Sequence, residues 1–340
     1  ASIVGGRNVG DEYFGATDGV LFADLDLLTV GAVAQDVSSD FDRYWASLSA
    51  YPVEHIVTRA AALSLDALRA QGTDLLQSAQ ARKYREAIAQ TPFIQRLLQA
   101  QLPLEWVPAR LVSDDPAKAL GKTRGRALIG AQIIHALGEP EHALDVISPY
   151  FIPTDEGVAA LATLRDQGVQ VRVLTNSVQA TDVVVVHAGY AKYRKPLLRH
   201  GVELFELRQL APADGQDGAR QHAAASPLGS SGSSLHAKTM AVDGQRVFVG
   251  SFNFDPRSAA LNTEMGIVVD SPVLAEQIQQ AFATQIPAMA YRVDTDEQGQ
   301  LRWHSGVGEP PPMYTSEPDM GLVRRLLVWL VGILPVEWLL

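Results

Sequence analysis

The sequence predicts an α/β protein in which helices cover both faces of a sheet. Three observations predict this class. Strand-like runs rich in Leu, Val and Phe alternate with helical segments, apolar residues recur at helical spacing between these runs, and two of the helices are stopped by Gly138 and Gly168. Strands that alternate with helices are typical of a largely parallel sheet. We therefore expect a mixed, mostly parallel sheet.

The first part of the chain begins with a short strand and a glycine-rich turn over 3–8. A second strand is predicted over 21–30, and apolar residues at helical spacing predict an amphipathic helix over 33–48. An Ala-, Leu- and Gln-rich stretch over 56–102 favours two or more helices. A strand over 106–112 and a helix over 122–137 complete this part.

The second part repeats the strand and helix pattern. The predicted elements are strands over 145–152, 171–175 and 202–207, helices over 155–167 and 185–200, strands over 234–242, 245–250 and 263–269, a helix over 271–286 and a hairpin over 289–304. A loop rich in Ala, Gly, Ser and Asp lies over 211–233, and a Pro-rich linker over 308–319 leads to an apolar tail.

Composition excludes several classes of protein. With 340 residues, 47% apolar and 19% charged, the chain is long enough for about two domains and is not a disordered chain. It has no cysteine, which excludes disulfides, iron–sulfur clusters and zinc held by thiolates. A net charge of −10 argues against binding to nucleic acid. The sequence has no apolar run long enough for a classical membrane span.

One motif, which spans two neighbouring predicted strands, contains the residues that point to a chemical function. It places His236 two residues before Lys238, so that both side chains project from one strand face. An imidazole beside an ammonium suits an anionic centre such as a phosphodiester, because the lysine supplies charge and donors to its oxygens. The motif continues with Asp243, Gly250, Ser251 and Asn253.

A carboxylate follows on the next predicted strand, at Glu264. A carboxylate that holds one imidazole nitrogen fixes the tautomer and leaves the other nitrogen free for chemistry. We therefore expect Glu264 to orient an imidazole of the site.

This spacing resembles the signature HxKxxxxDxxxxxxGSxN of the phospholipase D superfamily. The resemblance implies two phospholipase D-like lobes that share one site, each lobe contributing one motif. The chain also has the end of a first motif, because the run Gly5-Gly6-Arg7-Asn8 matches the end of the second, with Gly6 in the place of Ser251. Asp24 then takes the place of Glu264.

By this comparison the first His, Lys and Asp would precede Ala1, so we expect an incomplete first lobe. The expected domains are 1–120 for the remainder of the first lobe, 121–307 for the second lobe with the complete motif, and 308–340 for the linker and tail. We expect residues 1–340 alone to have little or no synthase activity.

The superfamily resemblance implies a two-step exchange through a phosphohistidine. One histidine attacks phosphorus, while His236 protonates the departing alcohol and deprotonates the incoming one. Lys238, Asn8, Ser251 and Asn253 would hold the phosphoryl oxygens, and Asp243 would shape the turn after the strand. Because lysines and amides supply the stabilising charge, the resemblance implies neither a metal nor a cofactor.

Several further segments resemble bacterial cardiolipin synthases, in particular the C-type branch. They are 5–14, 147–151, 187–190, 252–258 and 334–340. This resemblance implies that a phosphatidyl group moves onto phosphatidylglycerol, with phosphatidylethanolamine as an alternative donor. It implies a bacterial membrane location, peripheral or anchored, with the membrane face and oligomeric state open.

Two features fit contact with lipid. Lys192, Lys195 and Arg199 share one face of a predicted helix, which indicates either a patch facing headgroups or a solvated helix face. The tail over 322–340 places two arginines before an apolar segment containing tryptophan, as in an interfacial anchor or a helix docked on the protein itself. The motif leaves a hydrolytic phospholipase D, a nuclease and a non-catalytic membrane-binding module as alternatives.

Overall fold

The computed structural model describes residues 1–14, 21–56, 64–181, 183–208, 233–308, 310–318, 320 and 328. The strands are β1 (Ser2–Gly5), β2 (Leu21–Ala23), β3 (Asp26–Thr29), β4 (Ala109–Ser113), β5 (Ala143–Ile147), β6 (Gln170–Asn176), β7 (Glu203–Leu207), β8 (Ser233–Leu235), β9 (Lys238–Val242), β10 (Arg246–Gly250), β11 (Met265–Val269), β12 (Ala290–Thr295), β13 (Leu301–Ser305) and β14 (Met313–Tyr314).

The helices alternate with these strands. They are α1 (Asp11–Phe14), α2 (Ala32–Trp45), α3 (Leu65–Gln77), α4 (Ala79–Ala89), α5 (Pro92–Leu98), α6 (Ile129–Leu137), α7 (Thr154–Asp166), α8 (Val184–Ala191), α9 (Arg194–Arg199), α10 (Pro256–Ala260), α11 (Pro272–Gln280) and α12 (Ile286–Met289). Short 3-10 segments lie at Val53–His55, Pro116–Leu120 and Gly125–Ala127, and a π-helical segment lies at Ala281–Gln285.

Ten strands form one mixed sheet in the order β14-β13-β12-β7-β6-β5-β9-β10-β11-β4. Only the pairs β5–β6 and β6–β7 in this sheet are parallel, and its other pairs are antiparallel. The α/β class is therefore confirmed, but the expectation of a mostly parallel sheet is wrong. The tight turns after β9 and β12 require antiparallel neighbours, and helical crossovers join only β5, β6 and β7.

The sheet is apolar on both faces, and each face has its own core. On β10, Phe248 belongs to one core with Ile129 and Leu197, whereas Val249 belongs to the other with Val4. Successive side chains of a strand point to opposite faces, so this alternation follows from the pleat. The N-terminal strands β1 and β3 therefore pack on one face of the sheet, where β1 contacts β10 and β11 and β3 contacts β10.

Two strands lie across the expected domain boundaries. β4 falls in the range assigned to the first lobe, yet it pairs with β11 in the large sheet. β14 falls in the linker and pairs with β13. The division at residues 120 and 307 stays a prediction.

A buried ion network holds the linker against α8 and α9. Arg194 lies between Glu206 and Glu317, at 2.7 Å from a carboxylate oxygen of each, and His187 Nε2 lies 2.5 Å from Glu317 Oε1. Burial opposes the charge on Glu317, but Arg194 and His187 outweigh it and lower the pKa of this carboxyl well below its ordinary range. His187 therefore contacts the linker through Glu317.

No helix among the described residues is both long and apolar enough to cross a bilayer. Lys192, Lys195 and Arg199 are all exposed, while Tyr193 and Leu197 are buried. The tail expected over 322–340 lies outside the described residues, except for residue 328.

Asp243 closes the turn between β9 and β10 and lies outside the site that the motif predicts. Its carboxylate accepts three backbone N–H bonds, from Glu141, His142 and Ala143, at 2.7 to 2.9 Å. Its φ is 54°, a left-handed conformation that Asp tolerates better than most residues. These three contacts agree with a role of Asp243 in shaping the turn, and its inclusion among the catalytic residues stays a prediction.

Asp243→Ala should lower the free energy of unfolding by about 1 to 3 kcal/mol, because three backbone donors lose their partner. Asp243→Asn should cost less, since an amide oxygen still accepts and Asn tolerates the left-handed conformation. Partial burial raises the pKa of Asp243, but the three donors outweigh burial and place it below the ordinary value. The free energy of unfolding should therefore differ most between the wild type and Asp243→Ala at neutral pH. This difference should shrink as acid protonates the Asp243 carboxyl of the folded protein.

Urea unfolding of the wild type and both variants, at neutral pH and in acid, measures these differences. Equal stability of the wild type and Asp243→Ala at neutral pH would contradict a structural role for this carboxylate.

Candidate active site

The parallel pairing of β2 with β8 determines where His236 lies. Ala23 is opposite Leu235 in this pair, and the carbonyl of Ala23 accepts hydrogen bonds from the backbone N–H groups of His236 and Ala237, at 2.7 and 3.1 Å. The next residue after Ala23 is Asp24. Its side chain is fully buried, and its Oδ2 lies 2.8 Å from His236 Nδ1. The imidazole of His236 is therefore oriented by a carboxylate that lies 212 positions earlier in the sequence.

The structure pairs His236 with Asp24 rather than with Glu264. Glu264 stands at the start of β11, which β10 separates from β9 in the sheet. Its carboxylate instead accepts hydrogen bonds from the hydroxyls of Ser251 and Ser258. Asp24 holds His236 because β2 lies directly beside β8, a long-range pairing that local spacing does not reveal.

Lys238 lies against the imidazole. Its Nζ is 3.0 Å from His236 Nδ1, 3.1 Å from Nε2 and 2.5 Å from the backbone carbonyl of the same residue. The strand predicted over 234–242 is interrupted at 236–237, between β8 and β9, and the lysine folds back over the histidine. The structure thus brings the two side chains together, with a buried cation next to the reactive ring.

Gly6 makes room for the Asp24–His236 pair. A Cβ at this position would lie 2.6 Å from Asp24 Oδ1 and 2.8 Å from the carbonyl oxygen of His236, closer than real side chains approach. The second motif has Ser251 at the corresponding place. The absence of a side chain at Gly6 is therefore a requirement of the site.

The two motifs form similar hairpins. Gly5 is opposite Asp26 in the β1–β3 pair, and Gly250 is opposite Gly266 in the β10–β11 pair. Asp24 and Glu264 each precede those partner residues by two positions. The carboxylates are therefore placed at the same point of two equivalent hairpins, as the sequence comparison predicted.

Glu264 sits in a dense hydrogen-bond network. Burial raises the pKa of its carboxyl above the ordinary value, although the hydroxyls of Ser251 and Ser258 lower it in part. The single proton of the Ser251 hydroxyl is directed at Glu264. Ser251 therefore holds this carboxylate, whereas the sequence predicted that it binds phosphate.

A buried ion pair holds the backbone of Glu264. Asp114 Oδ2 accepts from the Glu264 N–H at 3.0 Å and lies 2.7 Å from Lys118 Nζ. Lys118 also donates to the carbonyl of Ser258 at 2.8 Å. Asp115 caps the following 3-10 turn through the N–H of Ala117, so this acidic pair is structural.

The two asparagines have different surroundings. Asn253 is buried, and no described residue supplies a hydrogen-bond partner for its Oδ1, so its amide is not fully used by the fold. Asn8 is exposed and its Nδ2 lies 3.4 Å from the hydroxyl of Tyr13. That hydroxyl is 3.5 Å from His236 Nε2, which places Asn8 at the same site.

Sequence reasoning missed the aromatic wall of the site. Tyr13 meets the imidazole edge to face at 5.0 Å, and Phe22 lies 5.2 Å from it. Tyr13 belongs to a run, 5–14, that the sequence analysis singled out only as a family resemblance. Among the described residues, no group of three or more His, Asp or Glu side chains could hold a metal ion.

A histidine held by a buried carboxylate, with a lysine against the ring, is an arrangement suited to the chemistry of phosphodiesters. Residues 133–286 match the family model described as "Cardiolipin synthase, PLD-like domain". The whole chain is 42% identical to cardiolipin synthase C of Escherichia coli K12 and covers 70% of that protein.

Two further proteins are similar to the chain, one in sequence and one in fold. A Helicobacter pylori protein described as uncharacterized is 29% identical over 89% of the chain, which covers 56% of that protein. In fold, 85% of the chain superposes on 60% of phosphatidylserine synthase from Haemophilus influenzae, with a TM-score of 0.51 and 17% identity. The chain belongs to the phospholipase D-like cardiolipin synthase family.

Gly6→Ala should displace Asp24 from His236, because the new methyl group would overlap both the carboxylate and the histidine carbonyl. In proton NMR, the hydrogen bond to Asp24 shifts the signal of the His236 Nδ1–H, and we expect Gly6→Ala to abolish this shifted signal. Gly72→Ala is the matched control, since a Cβ there meets nothing within 4 Å. A Gly6→Ala variant with an unchanged histidine signal would contradict the steric requirement.

Proposed function

We propose that this site transfers a phosphatidyl group between phospholipids and forms cardiolipin through a phosphohistidine. The observation that carries the proposal is the Asp24–His236–Lys238 cluster in a chain of the cardiolipin synthase family. The carboxylate stabilises an imidazolium, and the lysine supplies charge for phosphoryl oxygens. The acceptor is phosphatidylglycerol, and the donor is phosphatidylglycerol or phosphatidylethanolamine.

His236 acts as the general acid and base. In the first step a second histidine attacks phosphorus, the bond from phosphorus to the departing alcohol breaks, and His236 Nε2 gives that alcohol its proton. In the second step the hydroxyl of phosphatidylglycerol gives its proton to His236 and attacks phosphorus, while the nitrogen–phosphorus bond breaks. This second histidine, the nucleophile, would belong to the other motif of the family, because this sequence contains one His-x-Lys motif of this kind.

The remaining site residues bind or position the substrate. Lys238, Asn8 and Asn253 contact the phosphoryl oxygens, and the partly unused amide of Asn253 supports this role. Glu264 has the place in the second hairpin that Asp24 has in the first, so it would orient the second histidine. Ser251 and Ser258 hold Glu264 until that partner is present.

We further propose that the protein meets its lipids at a bacterial membrane surface, as a peripheral or anchored protein. The lipid nature of the substrates supports this location. The exposed cations Lys192, Lys195 and Arg199 support it as well, because anionic headgroups attract such a cluster.

Product analysis tests the function. The polypeptide that carries this site, in its longest natural form, is incubated with phosphatidylglycerol vesicles, and the lipids are identified by mass spectrometry. We expect cardiolipin and glycerol over many turnovers. His236→Gln should lower the rate by about 10²- to 10⁴-fold, the usual contribution of a general acid and base. His304→Gln is the control, because His304 lies on β13 and contacts Asp294.

Other products would contradict the proposal. Phosphatidic acid without cardiolipin would indicate hydrolysis, and cleavage of plasmid DNA without lipid turnover would indicate a nuclease. A phosphoryl group trapped on His236 would contradict the assignment of His236 as acid and base.

A further inference from the structure

The hydroxyl of Tyr13 faces the nitrogen of His236 that does the chemistry. Asp24 takes the Nδ1–H of the ring, so Nε2 of the neutral imidazole carries a lone pair. The Tyr13 oxygen lies 3.5 Å from Nε2. Asn8 Nδ2 lies 3.4 Å from the same oxygen. The phenol oxygen therefore lies between the Asn8 amide and the reactive nitrogen, which Lys238 Nζ also approaches at 3.1 Å.

Several contacts fix this phenol in place. Its ring stacks on Phe22, with centroids 4.7 Å apart and an interplanar angle of 27°. Arg7 donates to the backbone carbonyl of Tyr13 and pairs with Asp26, 2.5 Å away. The Arg7 guanidinium also lies over the ring of Phe14 at 5.7 Å. The motif residue Arg7 thus holds α1 over the site.

The phenol lies beside the place that a substrate alcohol must take. In the proposed reaction, an alcohol O–H gives its proton to Nε2, so its oxygen must approach this nitrogen from the same side. The separation of 3.5 Å is longer than a well-formed hydrogen bond, so the phenol is not tightly bound to the ring. An alcohol bound beside Nε2 would be within reach of the Tyr13 hydroxyl.

We propose that Tyr13 is a catalytic residue that binds the oxygen of the acceptor alcohol and holds it against His236 Nε2. The ligand is the free hydroxyl of a glycerol headgroup. Asn8 donates to Tyr13 and keeps the phenol proton directed at the alcohol. This inference rests on the proposed function and adds the group that selects an alcohol as acceptor.

The first test measures the contact without turnover. In the chain with ¹⁵N-labelled histidine, at a pH where the imidazole is neutral, Tyr13→Phe should move the Nε2 resonance of His236 towards the position of a lone pair without a donor. Free glycerol should shift this resonance in the wild type and not in Tyr13→Phe. Tyr51→Phe is the control, because this exposed phenol lies outside the site.

The second test measures acceptor binding. In the active protein, Tyr13→Phe should raise the KM for phosphatidylglycerol as acceptor about tenfold, the effect of losing one hydrogen bond. The kcat at saturating acceptor should stay the same, which a general loss of structure would not give. Phe keeps the stacking on Phe22, so the variant removes only the hydroxyl.

An unchanged Nε2 resonance in Tyr13→Phe would overturn the contact, and an unchanged acceptor KM would overturn its role in acceptor binding. If the wild type forms no cardiolipin, the proposed function fails, but the NMR signal and the glycerol titration still decide whether Tyr13 binds an alcohol at His236.

Discussion

The hydrogen bond between Asp24 and His236 is the contact on which the site depends. It joins residues that are 212 positions apart in the sequence, and it exists because β2 and β8 pair in parallel and place both side chains at the ends of adjacent strands. The carboxylate is fully buried, so the imidazole is its natural partner, and a buried charge without a partner is costly. The pairing of these two short strands is therefore also the assembly of the reactive centre.

The structure around this pair contains two copies of one antiparallel strand arrangement. In each copy a glycine of one strand is paired with a residue of the neighbouring strand, and a carboxylate precedes that paired residue by two positions. In one copy Asp24 meets His236, while in the other Glu264 meets two serine hydroxyls and has its backbone held by Asp114. The residues at the two corresponding positions fit this contrast. Gly6 leaves space for the Asp24–His236 pair, whereas the hydroxyl of Ser251 contacts the Glu264 carboxylate.

The sequence was most informative where chemistry is encoded by short spacing. His236 and Lys238 were found from a two-residue interval, and the role of Asp243 followed from its place after a strand. Strand direction was not predictable in the same way, because alternating strands and helices do not reveal which neighbours a strand acquires. The pairing of His236 with Asp24 rather than Glu264 was not predictable for the same reason, since it depends on contacts between residues far apart in sequence. Tyr13 carries no periodic signal, and only its fold position shows that it faces the imidazole.

The tautomer of His236, measured by ¹⁵N NMR in Asp24→Asn and Glu264→Gln variants, tests the central claim most directly. The account predicts that Asp24→Asn changes the proton distribution between Nδ1 and Nε2, while Glu264→Gln leaves it as in the wild type. The opposite pattern, with Glu264→Gln alone altering the ring, would contradict the account.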